Sequence, residues 1–237
     1  MPEPGTYFDP LDRLQRNDRL HHFSHALKNR MGSLWQAAAL LHDLPEGPER
    51  RQLLELAERN FFNGAAELER LMDDFGVPRG ITGIERVPVD LPGVVQECIG
   101  NIGFRTQRKG QQVNFRSAGP VQVQGDRTVL MQLFEALLAN ASKFSPKDSL
   151  ITVALATENS VARVSVRDRG VGLSGQDLDQ VFVRYAMLAS RSTEGESQAR
   201  STLARAKQWA GLHGGSLEAT SEGPGKGAMF TVRLPLG

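Results

Sequence analysis

Apolar residues recur at helical spacing from the start of the chain. Leu11, Leu14, Leu20, Phe23, Leu27, Met31, Leu34, Ala38 and Leu41 follow one another mostly at steps of three and four, which makes one stripe along a long helix. The breakers between Leu44 and Pro48 end it, and a second run with Leu54, Ala57, Phe61, Leu68, Leu71 and Phe75 repeats the pattern until Gly76 to Gly80. Two such helices joined by a short turn form an antiparallel hairpin. A hairpin alone cannot cover both sides of its apolar face, whereas two copies packed as a four-helix bundle can. The pattern therefore predicts a homodimer with isologous contacts.

From about residue 84 the period changes to mixed strands and helices. Strands are predicted at Val87 to Val89, Val113 to Arg116, Val121 to Gln124, Leu150 to Ala156, Val161 to Arg167, Ser216 to Thr220 and Ala228 to Leu234. Helices fit Pro92 to Gln107, Asp126 to Phe144 and Ser201 to Leu212. This order suits a mixed sheet with helices on one face, an α/β sandwich. The chain as a whole is predicted to be a multidomain α+β protein, with the hairpin in residues 1–80 and the sandwich in 81–237.

Within the first helix, His25 stands two residues from Phe23 and two from Leu27. At about 100° per residue that places it roughly opposite the apolar stripe, facing water. His21 and Asn29 lie one turn to either side and form a polar row with it. A neutral imidazole is a competent nucleophile toward a phosphoryl group, and exposure lets a second domain and a partner reach it. Histidines at i and i+4 also suit a surface metal, but no carboxylate or third histidine completes such a site locally.

Two segments of the sandwich carry the chemistry of a nucleotide pocket. The Asn140 amide oxygen can complete the coordination of a hard cation such as Mg²⁺, which binds phosphates through few protein ligands. Lys143, on the same helical face, can reach a phosphate as a point charge. Asp168 follows the alternating run Val161 to Arg167, so its carboxylate sits at a strand end, where it can accept a hydrogen bond from an exocyclic amine such as that of adenine. Gly170 and Gly172 allow left-handed dihedrals and close approach of backbone to a ligand. Taken alone, the last segment reads equally well as a strand followed by a Gly-rich turn.

Composition adds boundaries. A formal charge of +1 in 237 residues, with basic and acidic side chains interspersed, points away from nucleic acid and anionic membranes. The single cysteine, Cys98, excludes an intramolecular disulfide and suits a reducing, cytoplasmic setting. No apolar run approaches the roughly 20 residues that span a bilayer, and the first residues do not resemble a secretory signal.

The ordered set of motifs resembles sensor histidine kinases. The segment Leu133-Phe134-Glu135-Ala136-Leu137-Leu138-Ala139-Asn140-Ala141-Ser142-Lys143-Phe144-Ser145-Pro146 resembles their N box, and Asp168-Arg169-Gly170-Val171-Gly172-Leu173 their first glycine box. Val181-Phe182-Val183-Arg184-Tyr185 looks like the intervening aromatic box. His213-Gly214-Gly215 and the run from Gly223 to Pro235 look like the closing strands of the same ATPase domain. Phe23-Ser24-His25-Ala26-Leu27-Lys28-Asn29 resembles the box that carries the phospho-accepting histidine. The resemblance implies a cytosolic dimeric core that binds ATP and Mg²⁺ through Asn140, Lys143, Asp168, Gly170 and Gly172. His25 would carry a phosphoryl group, and Asn29 would orient the water that dephosphorylates a response regulator receiver domain. It also leaves this chain no room for an input domain.

The departures fall mainly on the kinase step. The second glycine box aligns with Gln198-Ala199-Arg200-Ser201-Thr202-Leu203, where every expected glycine is missing, and such glycines let backbone N–H groups crowd the phosphates. Arg200 is the residue there that could compensate by charge. Ala26 replaces the acidic residue usually placed as general base, a loss that typically costs roughly two to four decades in rate. Ala136 stands where a second asparagine is usual, with Glu135 one position out of phase. Arg30 replaces a proline, which predicts a straighter first helix. Two readings follow: a histidine kinase-type phosphotransferase, or a degenerate relative that shuttles phosphoryl groups or scaffolds a response regulator or another kinase without binding ATP.

Overall fold

The computed structural model describes residues 10–74, 83–184, 188, 193 and 201–236. Phe75, the predicted stop at Gly76 to Gly80, Tyr185 and residues 198–200 lie outside them, as do the side chains of Leu11 and Leu14. The chain divides into two compact units, Met1–Arg79 and Gly80–Gly237.

The first unit is a helical hairpin of α1 (Pro10–Asp43) and α2 (Pro48–Asp74). Arg50 on α2 closes the turn by donating to the Leu41 and Leu44 carbonyls at the end of α1. These are carbonyls that a helix end cannot satisfy internally. Among the described residues, only Ala37 of α1 and Phe62 of α2 are buried apolar side chains of the hairpin. Leu20, Met31, Trp35, Leu40, Leu54, Leu56, Phe61 and Leu68 remain exposed, Trp35 at 78%. The predicted stripe therefore splits: Phe23, Leu27, Leu34 and Leu41 are half-buried, while Leu20, Met31 and Ala38 face outward. A single partner helix covers only part of so wide a stripe.

The second unit holds two sheets. Strands β1 (Val87–Asp90) and β3 (Gln122–Gly125) form an antiparallel pair of their own, which the sequence reading assigned to the common sheet. The larger sheet contains β2 (Gln112–Ser117), β4 (Leu150–Glu158), β5 (Val161–Arg167), β6 (Ser216–Thr220) and β7 (Met229–Pro235). Its order is β2-β4-β5-β7-β6, with β2 and β4 parallel and the other neighbours antiparallel. Alternate residues Ile151, Val153, Leu155, Ala162, Val164, Val166, Phe230, Val232 and Leu234 are buried. They share one core with the helices α3 (Leu91–Asn101), α5 (Arg127–Phe144) and α7 (Thr202–Leu212). The intervening residues Thr152, Ala154, Arg163 and Ser165 are only half-buried. This is the alternation expected of a sheet covered on one face.

The single helix expected over Pro92 to Gln107 is in fact two, α3 and α4 (Gly103–Arg108), parted at Ile102. Buried Ile102 is flanked by Gly100 and Gly103, whose low helix propensity lets the chain turn there. A short helix, α6 (Gly175–Gln180), was not foreseen. Its signature is a capping box: the Ser174 hydroxyl accepts from the Asp177 N–H at 3.1 Å, and the Asp177 carboxylate accepts from the Ser174 N–H at 3.2 Å.

Candidate functional site

On the hairpin, His25, His21 and Asn29 are all exposed, and the His21 and His25 rings lie 6.2 Å apart between centroids. His22 turns aside, its Nδ1 placed 2.9 Å from the Asp18 carbonyl. Arg30, where a proline was expected, keeps α1 continuous and reaches across to α2, donating to Glu67 at 3.0 Å. Its stem lies over Gly64, where a Cβ would stand 3.1 Å from Arg30 Cδ. A glycine on α2 thus admits an arginine between the helices.

The second unit gathers the other candidates around the C-terminal half of α5 and the loop after β5. Asp168 is buried, and its Oδ1 accepts two backbone N–H groups, from Gly170 at 2.8 Å and Ala228 at 3.1 Å. Among the described residues Oδ2 accepts none, so one oxygen is held by the fold and the other is left for a ligand. Burial pushes this carboxyl above the usual carboxylate range, and the two N–H groups pull against that rise. Asn140, half-buried on α5, has no hydrogen-bond partner for its carboxamide among the described residues. Lys143 lies one turn further, its Nζ 5.4 Å from the Phe144 ring centroid.

The glycines stand close to the chain's own backbone. A Cβ on Gly170 would come within 2.3 Å of the Phe144 carbonyl oxygen, and on Gly172, at φ +67°, within 2.1 Å of the Gly223 carbonyl oxygen. The loop is tied to residues 221–227 by Gly225 N–H to the Val171 carbonyl, 2.7 Å, and Gly227 N–H to the Gly170 carbonyl, 3.1 Å. Ser221, which the sequence reading missed, joins the two strips: its hydroxyl donates to the Gly227 carbonyl at 2.7 Å and accepts from the Leu173 N–H at 3.0 Å.

The end of α5 is capped from outside the helix. Its last four carbonyls lack partners within it. That of Ala141 accepts from Ser145, and that of Phe144 from Val171. The Ser142 carbonyl accepts from Gln111 Nε2 at 3.0 Å and Lys109 Nζ at 2.9 Å. The Lys143 carbonyl accepts from the Thr193 N–H and hydroxyl, at 3.3 and 3.0 Å. The Thr193 hydroxyl in turn accepts from Lys109 Nζ at 2.8 Å. Lys109 and Gln111 stand in a loop run that carries no motif, so no sequence signal marked them.

Phe182 of the aromatic segment packs edge-on to Phe230 of β7, centroids 6.4 Å apart, with Lys207 of α7 over its ring. His213, at the end of α7, is buried. Its Nδ1 lies 2.8 Å from the Trp209 carbonyl, and Nε2 accepts the Asp126 N–H at 3.1 Å. That bond pins α7 to the start of α5, where Asp126 caps the helix by accepting from Thr128 and Val129.

Residues 125–237 match the family of histidine kinase-, DNA gyrase B- and HSP90-like ATPases. The sensor-like histidine kinase SenX3 of Mycobacterium tuberculosis is 30% identical over 231 residues, which cover 93% of this chain and 54% of SenX3. Over nearly its whole length the chain is similar to the core of a two-component sensor histidine kinase. It spans about half the length of the curated relatives SenX3 represents. The mycobacterial sensor histidine kinase MprB is 27% identical and superposes with a TM-score of 0.57 over 63% of this core and 98% of the solved chain. Full-length ShkA, solved in complex with AMPPNP, shares the fold over 93% of this core and 46% of its own chain, at 20% identity and a TM-score of 0.58.

Within the core, the departures take definite places. Ala136 is buried in the hydrophobic core, and Glu135 accepts from Asn101 Nδ2 at 2.6 Å, so its carboxylate is engaged with α3. Of the segment 198–203, Ser201 and Thr202 open α7, and Ser201 offers no side-chain cap. Among the described residues, no helix of the core is long and apolar enough to cross a membrane.

Proposed function

We propose that this core carries a phosphoryl group on His25 and exchanges it with an aspartate of a response regulator receiver domain, acting as a cytoplasmic homodimer. The observation that carries this reading is the exposure of His25, with Asn29 one turn away, on a chain that also holds the ATPase fold. The apolar side chains left uncovered on the hairpin, Leu20, Met31, Leu54, Leu56, Phe61 and Leu68, support pairing of two hairpins into a four-helix bundle.

Bound Mg-ATP would supply the phosphoryl group. The residues present fit it: Asp168 has one oxygen free to accept from the adenine amine, Asn140 has an unbonded carboxamide for Mg²⁺, and Lys143 is a cation for the phosphates. Gly170 and Gly172 fold the loop that holds Asp168 in place. The neutral His25 imidazole presents a lone pair to phosphorus, and positioning dominates such transfers. Asn29 would orient water at a phosphorylated partner.

The missing glycines at 198–203 and the alanine at position 26 favour a second reading, in which the core passes phosphoryl groups or binds a regulator without ATP. Titration with AMPPNP and Mg²⁺ separates the two. Micromolar binding lost in Asp168→Asn supports the kinase reading; no binding at millimolar ligand, with His25 labelled only from a phosphorylated receiver domain, supports the second.

A further inference from the structure

Lys109 is the largest fully buried side chain of the core, 1% exposed, and its ammonium meets only neutral oxygens: the Ser142 and Lys143 carbonyls and the Thr193 hydroxyl. No carboxylate pairs with it among the described residues. A buried cation without an anionic partner is costly, so its retention calls for a reason. Capping of α5 is an insufficient one, because each carbonyl it touches has another donor. Gln111 Nε2 already serves Ser142, and the Thr193 N–H and hydroxyl serve Lys143.

The charge itself remains to be explained. A helix C-terminus carries about half a negative charge, and here that end bears Asn140 and Lys143, the residues offered to the metal and phosphates. A polyanion placed there meets the unfavourable pole of α5. From these facts we infer that Lys109 is a positioning residue for the polyphosphate chain. Its buried ammonium cancels the negative pole of α5, so that the phosphate site beside Lys143 accepts a nucleoside di- or triphosphate. Charge in a poorly solvated place acts over several ångströms with little screening. The inference rests on the nucleotide-binding reading above, and it makes a claim that reading does not: Lys109 discriminates by ligand charge while touching no ligand.

The test compares adenosine, ADP and ATP by calorimetry on the full chain, in Lys109→Met, which keeps the stem, and Lys109→Gln, which keeps a neutral donor. Gln111→Leu, which removes a cap donor without changing charge, is the structural control. The expected result is a loss on the order of tenfold or more for ATP, smaller for ADP and absent for adenosine, in both Lys109 variants. Wild-type ATP affinity should also fall with added salt more steeply than that of Lys109→Met. Equal loss for adenosine and ATP would make Lys109 a structural cap and overturn the inference, as would no loss in Lys109→Gln should Lys109→Met fail to fold. Failure of the wild type to bind any of the three ligands would remove the nucleotide reading itself, a separate outcome visible before any variant is made.

Discussion

Asp168 and Ala228 hold each other by a reciprocal pair of bonds. The Asp168 N–H donates to the Ala228 carbonyl at 2.9 Å, and the Ala228 N–H donates to Asp168 Oδ1 at 3.1 Å. The carboxylate is thereby fixed at the end of β5 against the start of β7, whatever its second oxygen does. Because burial raises its pKa, the folded chain holds this proton more tightly than the unfolded chain does. The stability it contributes is complete below the ordinary carboxylate range and is lost as pH rises through the raised value. Asp168→Asn keeps an oxygen for both N–H groups and cannot ionise. Its Tm at neutral pH should equal or exceed that of the wild type, with the gap closing on acidification, while nucleotide affinity disappears. Thermal unfolding across pH, beside calorimetry, checks this; a variant much less stable at neutral pH would contradict it.

Gly227 is the tightest glycine around Asp168. It sits at φ +72°, and a Cβ there would lie 2.2 Å from the Asp168 carbonyl oxygen. Gly227→Ala adds both left-handed strain and a backbone clash, which together should cost roughly 2–4 kcal/mol. Gly175→Ala meets nothing within 4 Å and should be close to neutral. Denaturant unfolding of the two variants, side by side, gives the comparison, and similar values for both would sink the argument.

His213 links two helices through the two nitrogens of one ring. Replacing it by leucine keeps an apolar body of comparable size and leaves the Asp126 N–H and Trp209 carbonyl without their partner. Each buried orphan costs about 1–3 kcal/mol, so His213→Leu should lose more stability than its volume change implies. Hydrogen exchange at the Asp126 amide should quicken more than exchange in β4 and β5. Uniform loss of protection would mean that the ring merely fills space.

Much of this was legible in the chain because the relevant signals are periodic or local. The 3.6-residue stripe of α1, the alternation in β4 and β5, and the helix expected over Asp126 to Phe144 each follow from short-range physics. His25 was placed in solvent by angle alone, and it is exposed. The partition of the stripe was not legible, since which of Ala37 and Ala38 is buried depends on where α2 crosses. Nor was the support of the candidate site, because Lys109, Gln111 and Ser221 act on residues far away in sequence and carry no spacing of their own. The glycine turn was found as a motif, but its cause, contact with the Phe144 and Gly223 carbonyls, exists only in three dimensions.

Ala26 allows the phosphorylation chemistry to be tested directly. When one nitrogen of a neutral imidazole attacks phosphorus, the N–H on the other becomes acidic, and a carboxylate within hydrogen-bond reach can take that proton. Ala26 is adjacent to His25 and half-buried, with no side chain that could do so. Ala26→Glu should therefore speed labelling of His25 from ATP by roughly two to four decades, with little change in the labelling supplied by a phosphorylated receiver domain. Glutamate is a good helix former, so α1 should persist unchanged. His25→Gln must abolish the label in both backgrounds, since a label that persisted would place the acceptor elsewhere. The informative measurement is the single-turnover rate with ATP saturating, so that any weakness in nucleotide affinity does not disguise the chemical step. A flat rate under those conditions, in protein that binds ATP, would mean that proton removal does not limit transfer and that the lost glycines at 198–203 do.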